Sequence, residues 1–229
     1  LISNAFFWLD EFHVDGFRMD DVDAMLYLDF GREAGQWTAN LYSSNENLQA
    51  MEFLKHLNSI VKKQYPGILL IAQEDGLWPQ LTDSVENDHL GFDYKWSGGW
   101  TKDLLSYLEA EPLDRRNYYD QLTLSMMYAY SEHFVLVLSH DEVVHLKKSM
   151  IYKMPGTMPE KFGNLRAAYG LMMMHPGKKL LFMGQDFAQT AEWNEAKSLD
   201  WHLLEKYPEH QQLNHYYCDL LHFYQNEPA

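Results

Sequence analysis

Three short runs constrain this chain most: ILLIA at residues 68 to 72, FVLVLS at 134 to 139 and KLLFMG at 179 to 184. None alternates apolar with polar residues, as a strand with one wet face would. Strands buried on both faces look like this, and they belong to parallel sheets. The stretches between them have helical spacing. In residues 46 to 64, Leu48, Met51, Leu54, Leu57 and Val61 form one stripe, and Pro66-Gly67 ends it. Further helices are expected near 101 to 110, 119 to 131, 160 to 175 and 209 to 226. Two weaker strands, FHVDGFRM at 12 to 19 and GFDYKW at 91 to 96, complete the pattern. Buried strands separated by helices imply right-handed βαβ units and a parallel α/β sheet.

Acids fall where the apolar runs stop: Asp20, Glu74, Asp93, Asp141 and Asp186. A (β/α)8 barrel keeps its catalytic groups at the carboxyl ends of its strands, and a doubly wound sheet binds ligands there too. No GxGxxG or GxxxxGK[ST] loop is present, which counts against nucleotide binding.

The length, 229 residues, suits one large domain or two small ones. The formal charge of −15 argues against nucleic acid or an anionic membrane surface as partner and fits a neutral substrate. Aromatic residues at 15% supply either a large aromatic core or a cleft whose ring faces stack on sugars. The single cysteine, Cys218, excludes an internal disulfide and fits a reducing, cytoplasmic setting. No apolar run approaches the ~20 residues that a membrane helix needs. Residues 1 to 12 lack a basic start and carry Asp10 and Glu11, so no leader peptide is expected. The chain does not begin with Met and reads as a fragment.

Three motifs carry candidate chemistry. In DGFRMD, Arg18 and Asp20 are two apart and share one strand face. An arginine beside a carboxylate favours the ionised form, which can act as a nucleophile at a sugar carbon. A structural ion pair is the competing reading. In LSHDEVVH, His140 and Asp141 follow a buried strand and are placed to bind sugar hydroxyls, or Asp141 simply caps the next turn. His140, Asp141 and His145 do not make a metal site, because the two histidines are five apart rather than four. The loop FMGQDFAQTAEWN, after the last strand, reads as ordinary packing with aromatic residues that could line a cleft.

DGFRMD, LSHDEVVH, HPGKKLLFMG and LDWHLL together resemble the 1,4-alpha-glucan branching enzymes of the alpha-amylase superfamily, glycoside hydrolase family 13. The similarity runs through nearly the whole chain. It implies a (β/α)8 TIM barrel of the alpha-amylase type, with only strands four to eight present. Residues 1 to 229 would then be the C-terminal part of one catalytic domain. The first three strands and a C-terminal β-domain would lie outside it. An open arc of five strands has an exposed edge, so these residues alone are expected to be unstable or to aggregate. By match, Asp20 is the nucleophile, Arg18 its partner, Asp141 the stabiliser of the transition state and His140 a sugar contact. The implied reaction is a retaining transfer of an α-1,4-glucan segment to a 6-hydroxyl, making α-1,6 branches in glycogen. No cofactor or metal is implied, and no oxygen-rich calcium loop is visible. An amylase-type hydrolase is the alternative that LSHDEVVH and LDWHLL disfavour.

One position breaks the resemblance. The family's acid follows the alanine that ends the fifth strand, and here Ala72 is followed by Gln73. Trp78-Pro79 keeps the family's distance, so no gap restores the register. An amide cannot donate the proton that departing oxygen needs, and such catalysis contributes about 10²–10⁴-fold. Two expectations follow: either the neighbouring Glu74 serves as acid through a bulge, or the protein is an impaired glucan-binding relative. Other departures lie nearby. Asp21 and Asp23 stand where small residues are usual, Leu146 and Ala188 stand where glycine is usual, and Asp186 replaces glutamate.

Overall fold

The computed structural model describes residues 1–76 and 78–227. The chain forms two compact units, Leu1–Gly98 with Ala129–Val135 and Gly99–Tyr128 with Leu136–Ala229. Five strands run in chain order across the sheet: β1 Gly16–Met19, β2 Leu69–Gln73, β3 Tyr94–Ser97, β4 Phe134–Leu138 and β5 Lys178–Leu181. Each expected strand is present, shifted or shortened by a few residues.

In the first unit β1, β2 and β3 pair in parallel, with Gly16 opposite Leu69 and Gln73 opposite Trp96. Gly16 permits the tight start of this pairing, because a Cβ there would collide with the Leu69 carbonyl. The long helix α3, Leu48–Gln64, opens on the Asn47 side chain, which accepts the Ala50 amide hydrogen at 3.2 Å. Its stripe, Leu54, Leu57 and Val61, is buried with Leu70 and Ala72 of β2 and with Val22 and Leu26 of the short helix α2, Val22–Leu26. This cluster fixes the outward face of β2 as Leu70, Ala72 and whatever follows two residues on. A helix that the sequence pattern did not suggest, α1 at Ile2–Phe12, precedes β1. The expected strand from residue 12 therefore begins only at Gly16, because His13 turns left-handed (φ 52°) and closes the helix.

The second unit holds helices α4 Gly98–Glu109, α5 Tyr119–Tyr128, α6 Met150–Lys153, α7 Met158–Met174, α8 His202–Lys206 and α9 Pro208–Asn226. The whole of β4 is buried, as its unbroken apolar run requires. Leu136 and Leu138 join Trp100 and Leu104 of α4, Leu165, Tyr169 and Met172 of α7 and Leu213 of α9 in one core. Helix α7 starts with a capping box between Thr157 and Glu160. β5 follows β4 through the Phe182 amide, which donates to the Leu138 carbonyl at 2.9 Å. Among the described residues no helix is long and apolar enough to cross a membrane.

Candidate active site

Strand register sorts the side chains at the carboxyl ends of β1, β2 and β3. Paired residues share a face, and faces alternate along each strand. Arg18 pairs with Ile71, and Gln73 pairs with Trp96. Asp20, two residues beyond Arg18, continues the same face. Arg18, Asp20, Gln73 and Trp96 therefore stand on one side. Ala72 and Lys95, a pair on the next rung, stand on the other.

Arg18 is held from two directions. Its guanidinium lies 3.9 Å from the Trp96 ring centre, a cation–π contact, and it is ion-paired with Asp20. The Asp20 side chain remains 66% exposed, so its carboxylate is both oriented and reachable. That is what a nucleophile needs, and DGFRMD encodes it by placing the two residues two apart.

Gln73 is fixed as an amide and not merely as a polar spacer. Its Oε1 accepts the Asp21 amide hydrogen at 2.8 Å, a contact that crosses from β2 back to the end of β1. Asp21 presents that amide from a left-handed turn, φ 45°. With Oε1 so engaged, Nε2 points the other way and donates to Asp75 Oδ2 at 3.3 Å. Burial raises the Asp75 carboxyl above its ordinary value, and the charges of Asp23 and Asp21 add to this. The Gln73 hydrogen bond and the Lys95 charge pull it back only in part.

Glu74 is not re-aimed by a bulge. It lies on the Ala72 side, 1% exposed, and is ion-paired with Lys95, which is itself 7% exposed. Lys95 Nζ also donates to the Gly76 carbonyl at 3.4 Å. The strand's alternation thus carries the Glu74 carboxylate away from Asp20, and a buried counter-ion holds it there. Sequence reasoning did not single out Lys95 and gave Asp75 no role.

The second unit contributes the LSHDEVVH segment. Residues His140–Glu142 form a single 3₁₀ turn after β4. Ser139, rather than Asp141, is its cap, accepting the Asp141 amide hydrogen at 3.2 Å. The Asp141 carboxylate accepts from the Ser139 hydroxyl at 3.2 Å and lies 3.3 Å from His140 Nε2. The His140 ring stands 5.8 Å from Phe182, and Phe182 meets Trp193 edge-on at 5.3 Å. The site residues of this unit therefore cluster at the carboxyl end of β4. Among the described residues, no group of three His, Cys, Asp or Glu is arranged to hold a metal ion.

The segment after Asp141 is strained. His145, Leu146 and Lys148 all have positive φ, at 55°, 66° and 69°. Glu192 straps them down: its carboxylate accepts the Leu146 amide hydrogen at 3.0 Å and the Lys148 amide hydrogen at 2.6 Å. Ala188, in the loop after β5, is also left-handed, φ 56°. Leu146 and Ala188 are the two positions where the sequence departs from an expected glycine, and the backbone there has the conformation that glycine adopts at least cost. Elsewhere in that loop Gln185 and Phe187 are buried, and Asp186 accepts from Asn214 at 2.7 Å, so the loop is mainly packing.

The chain is an α/β protein whose parallel sheet gathers an Arg–Asp pair, an amide–carboxylate pair and a tryptophan at neighbouring strand ends, the place where such sheets commonly hold ligands. No protein-family model matches the chain. Curated relatives do. All 229 residues are 52% identical to a 1,4-alpha-glucan branching enzyme GlgB of Shewanella frigidimarina and 49% identical to one of Nitrosococcus oceani. Over 224 residues, 98% of the chain, the identity to a 1,4-alpha-glucan branching enzyme GlgB of Clostridium perfringens is 50%. The chain belongs to the 1,4-alpha-glucan branching enzyme family. It spans 30 to 34% of the length of these relatives.

Proposed function

We propose that these residues form strands four to eight of a (β/α)8 barrel of the alpha-amylase type, within a longer branching enzyme. The five strands in chain order, with helices between them, support this reading. The substrate would be a linear α-1,4-glucan and the product an α-1,6 branch, by retaining transfer. Asp20 is the nucleophile: it attacks the anomeric carbon and forms a covalent glycosyl intermediate, and the 6-hydroxyl of a second chain then displaces it. Arg18 holds Asp20 in line for attack. Asp141 and His140 grip the sugar hydroxyls and stabilise the charge that develops on the ring. A retaining site needs a proton donor ~5–5.5 Å from its nucleophile.

The observation that carries the reading is the Arg18–Asp20 pair, seated on Trp96 with the Asp20 carboxylate left open. Asp20→Asn in the full-length protein should abolish new α-1,6 linkages on amylose. Retention of branching would refute the assignment. Gln73 supports a second reading, in which the protein binds glucan without branching it. A natural protein that binds amylose yet branches only as Gln73→Glu would establish that reading.

A further inference from the structure

We propose that Asp75 is the proton donor and acceptor of this site, replacing the acid that Gln73 has lost. The inference rests on the reading of Asp20 given above. Gln73 Nε2 occupies the place that a carboxylate oxygen of a glutamate would take at this position. The Asp75 carboxylate lies one hydrogen bond from it, at 3.3 Å. Of the two carboxylates that follow Gln73 it is the one that returns to this point, since Glu74 is bound to Lys95 across the strand. Two features hold it there. Gln73 cannot turn away, because its Oε1 is bound to the Asp21 amide. Gly98 lets the carboxylate settle against the end of β3, where any Cβ would collide with Asp75 Oδ1. The amide also removes a conflict: a glutamate at residue 73 would put a second negative charge beside Asp75, and an amide donates to it instead.

Asp75 combines access with a carboxyl whose pKa is shifted toward the protonated form. The residue is exposed to solvent, yet burial of its carboxyl raises its pKa. The groups facing it are Asp23 and Asp21, which push the same way, and Lys95 and Gln73, which oppose. In the first half of the reaction Asp20 attacks the anomeric carbon and the C1–O4 bond breaks. The Asp75 proton goes to the departing O4, leaving a carboxylate. In the second half the acceptor's 6-oxygen attacks C1, its proton passes to Asp75, and Asp20 leaves as a carboxylate. Both residues return to their starting state.

The test uses the full-length protein as the natural sequence, Asp75→Asn, Asp75→Ser, Gln73→Glu and Asp75→Asn with Gln73→Glu. Asp75→Asn and Asp75→Ser should each lower branching of amylose by about 10²–10⁴-fold. They should keep the first burst of fluoride release from α-maltosyl fluoride, whose leaving group needs no proton. The alkaline limb of kcat/KM against pH, where Asp75 loses its proton, should move or vanish. Adding Gln73→Glu to Asp75→Asn should restore branching. Branching that survives both Asp75 substitutions within a few-fold overturns the proposal. An inactive natural protein that only Gln73→Glu switches on also overturns it, while leaving the reading of Asp20 intact. Absence of branching in every variant, with no burst from the fluoride, defeats the reading of Asp20 and this proposal with it.

Discussion

Replacing Lys95 by methionine isolates what Glu74 does. The Lys95 and Glu74 side chains are 9% and 0% exposed, so water does not screen their pairing. Glu74 Oε1 already lacks a partner, which leaves the carboxylate dependent on Lys95 and on that one ion pair. Methionine keeps the bulk of the lysine stem and removes the charge. Removing one partner of a buried pair strands the other, at a cost of about 3–5 kcal/mol. A domain of about 150–250 residues loses about 2–4 °C per kcal/mol and a larger one less, so the melting temperature should fall by up to roughly 6–20 °C. Thermal unfolding of the full-length protein measures this. Lys62→Met is the control: Lys62 meets Asp93 at 2.7 Å, but with side chains 36% and 27% exposed. Its loss should cost about 1 kcal/mol or less. The double variant Lys95→Met with Glu74→Met removes both charges and should recover most of the loss, as apolar replacements of buried pairs do. A Lys95→Met effect no larger than the Lys62 control would refute the counter-ion role. So would a double variant in which the two losses simply add.

Other outcomes follow from the same geometry. Leu146→Gly should stabilise the protein by about 0.5–1 kcal/mol, since Leu146 is exposed, a left-handed L-residue costs about 1–2 kcal/mol and glycine's entropy returns part of that; chemical denaturation measures the gain. Asp75 has a raised native pKa, so its contribution to stability is full below the unfolded value and is lost as the pH rises through the native one. Asp75→Asn should therefore melt higher than the natural protein at pH 7 even as it loses activity. His175 is bonded to the Ser125 hydroxyl at 2.8 Å, and burial lowers its pKa from the ordinary 6.5. Its contribution is full above 6.5 and is lost as the pH falls through the depressed native value, so melting curves from pH 7 to 5 should show a loss that His175→Gln removes.

The strands were legible because burial on both faces leaves no room for alternation, and FVLVL needed no partner to be recognised. Helix α1 was not, because its end carries His13 in place of the glycine that usually marks a left-handed cap. The face of Glu74 could be inferred from simple alternation after Ala72. Its partner could not, since Lys95 meets it only through the register that sets Ala72 opposite Lys95, 23 residues on in sequence from Ala72. Asp75 was the hardest to see. The chain leaves β2 after Gln73, so strand periodicity stops there. Only the amide orientation of Gln73 and the missing Cβ of Gly98 bring its carboxylate back. The left-handed turns at Leu146 and Ala188 were hidden for a related reason: neither residue type signals the conformation it adopts.

The central claim is that this site works as a branching site although Gln73 stands at the acid position. The most direct measurement is the number of α-1,6 linkages that the full-length natural protein forms on amylose. The account predicts new linkages without any substitution at Gln73. Amylose left unbranched by the natural protein, and branched once Gln73→Glu is introduced, would contradict it.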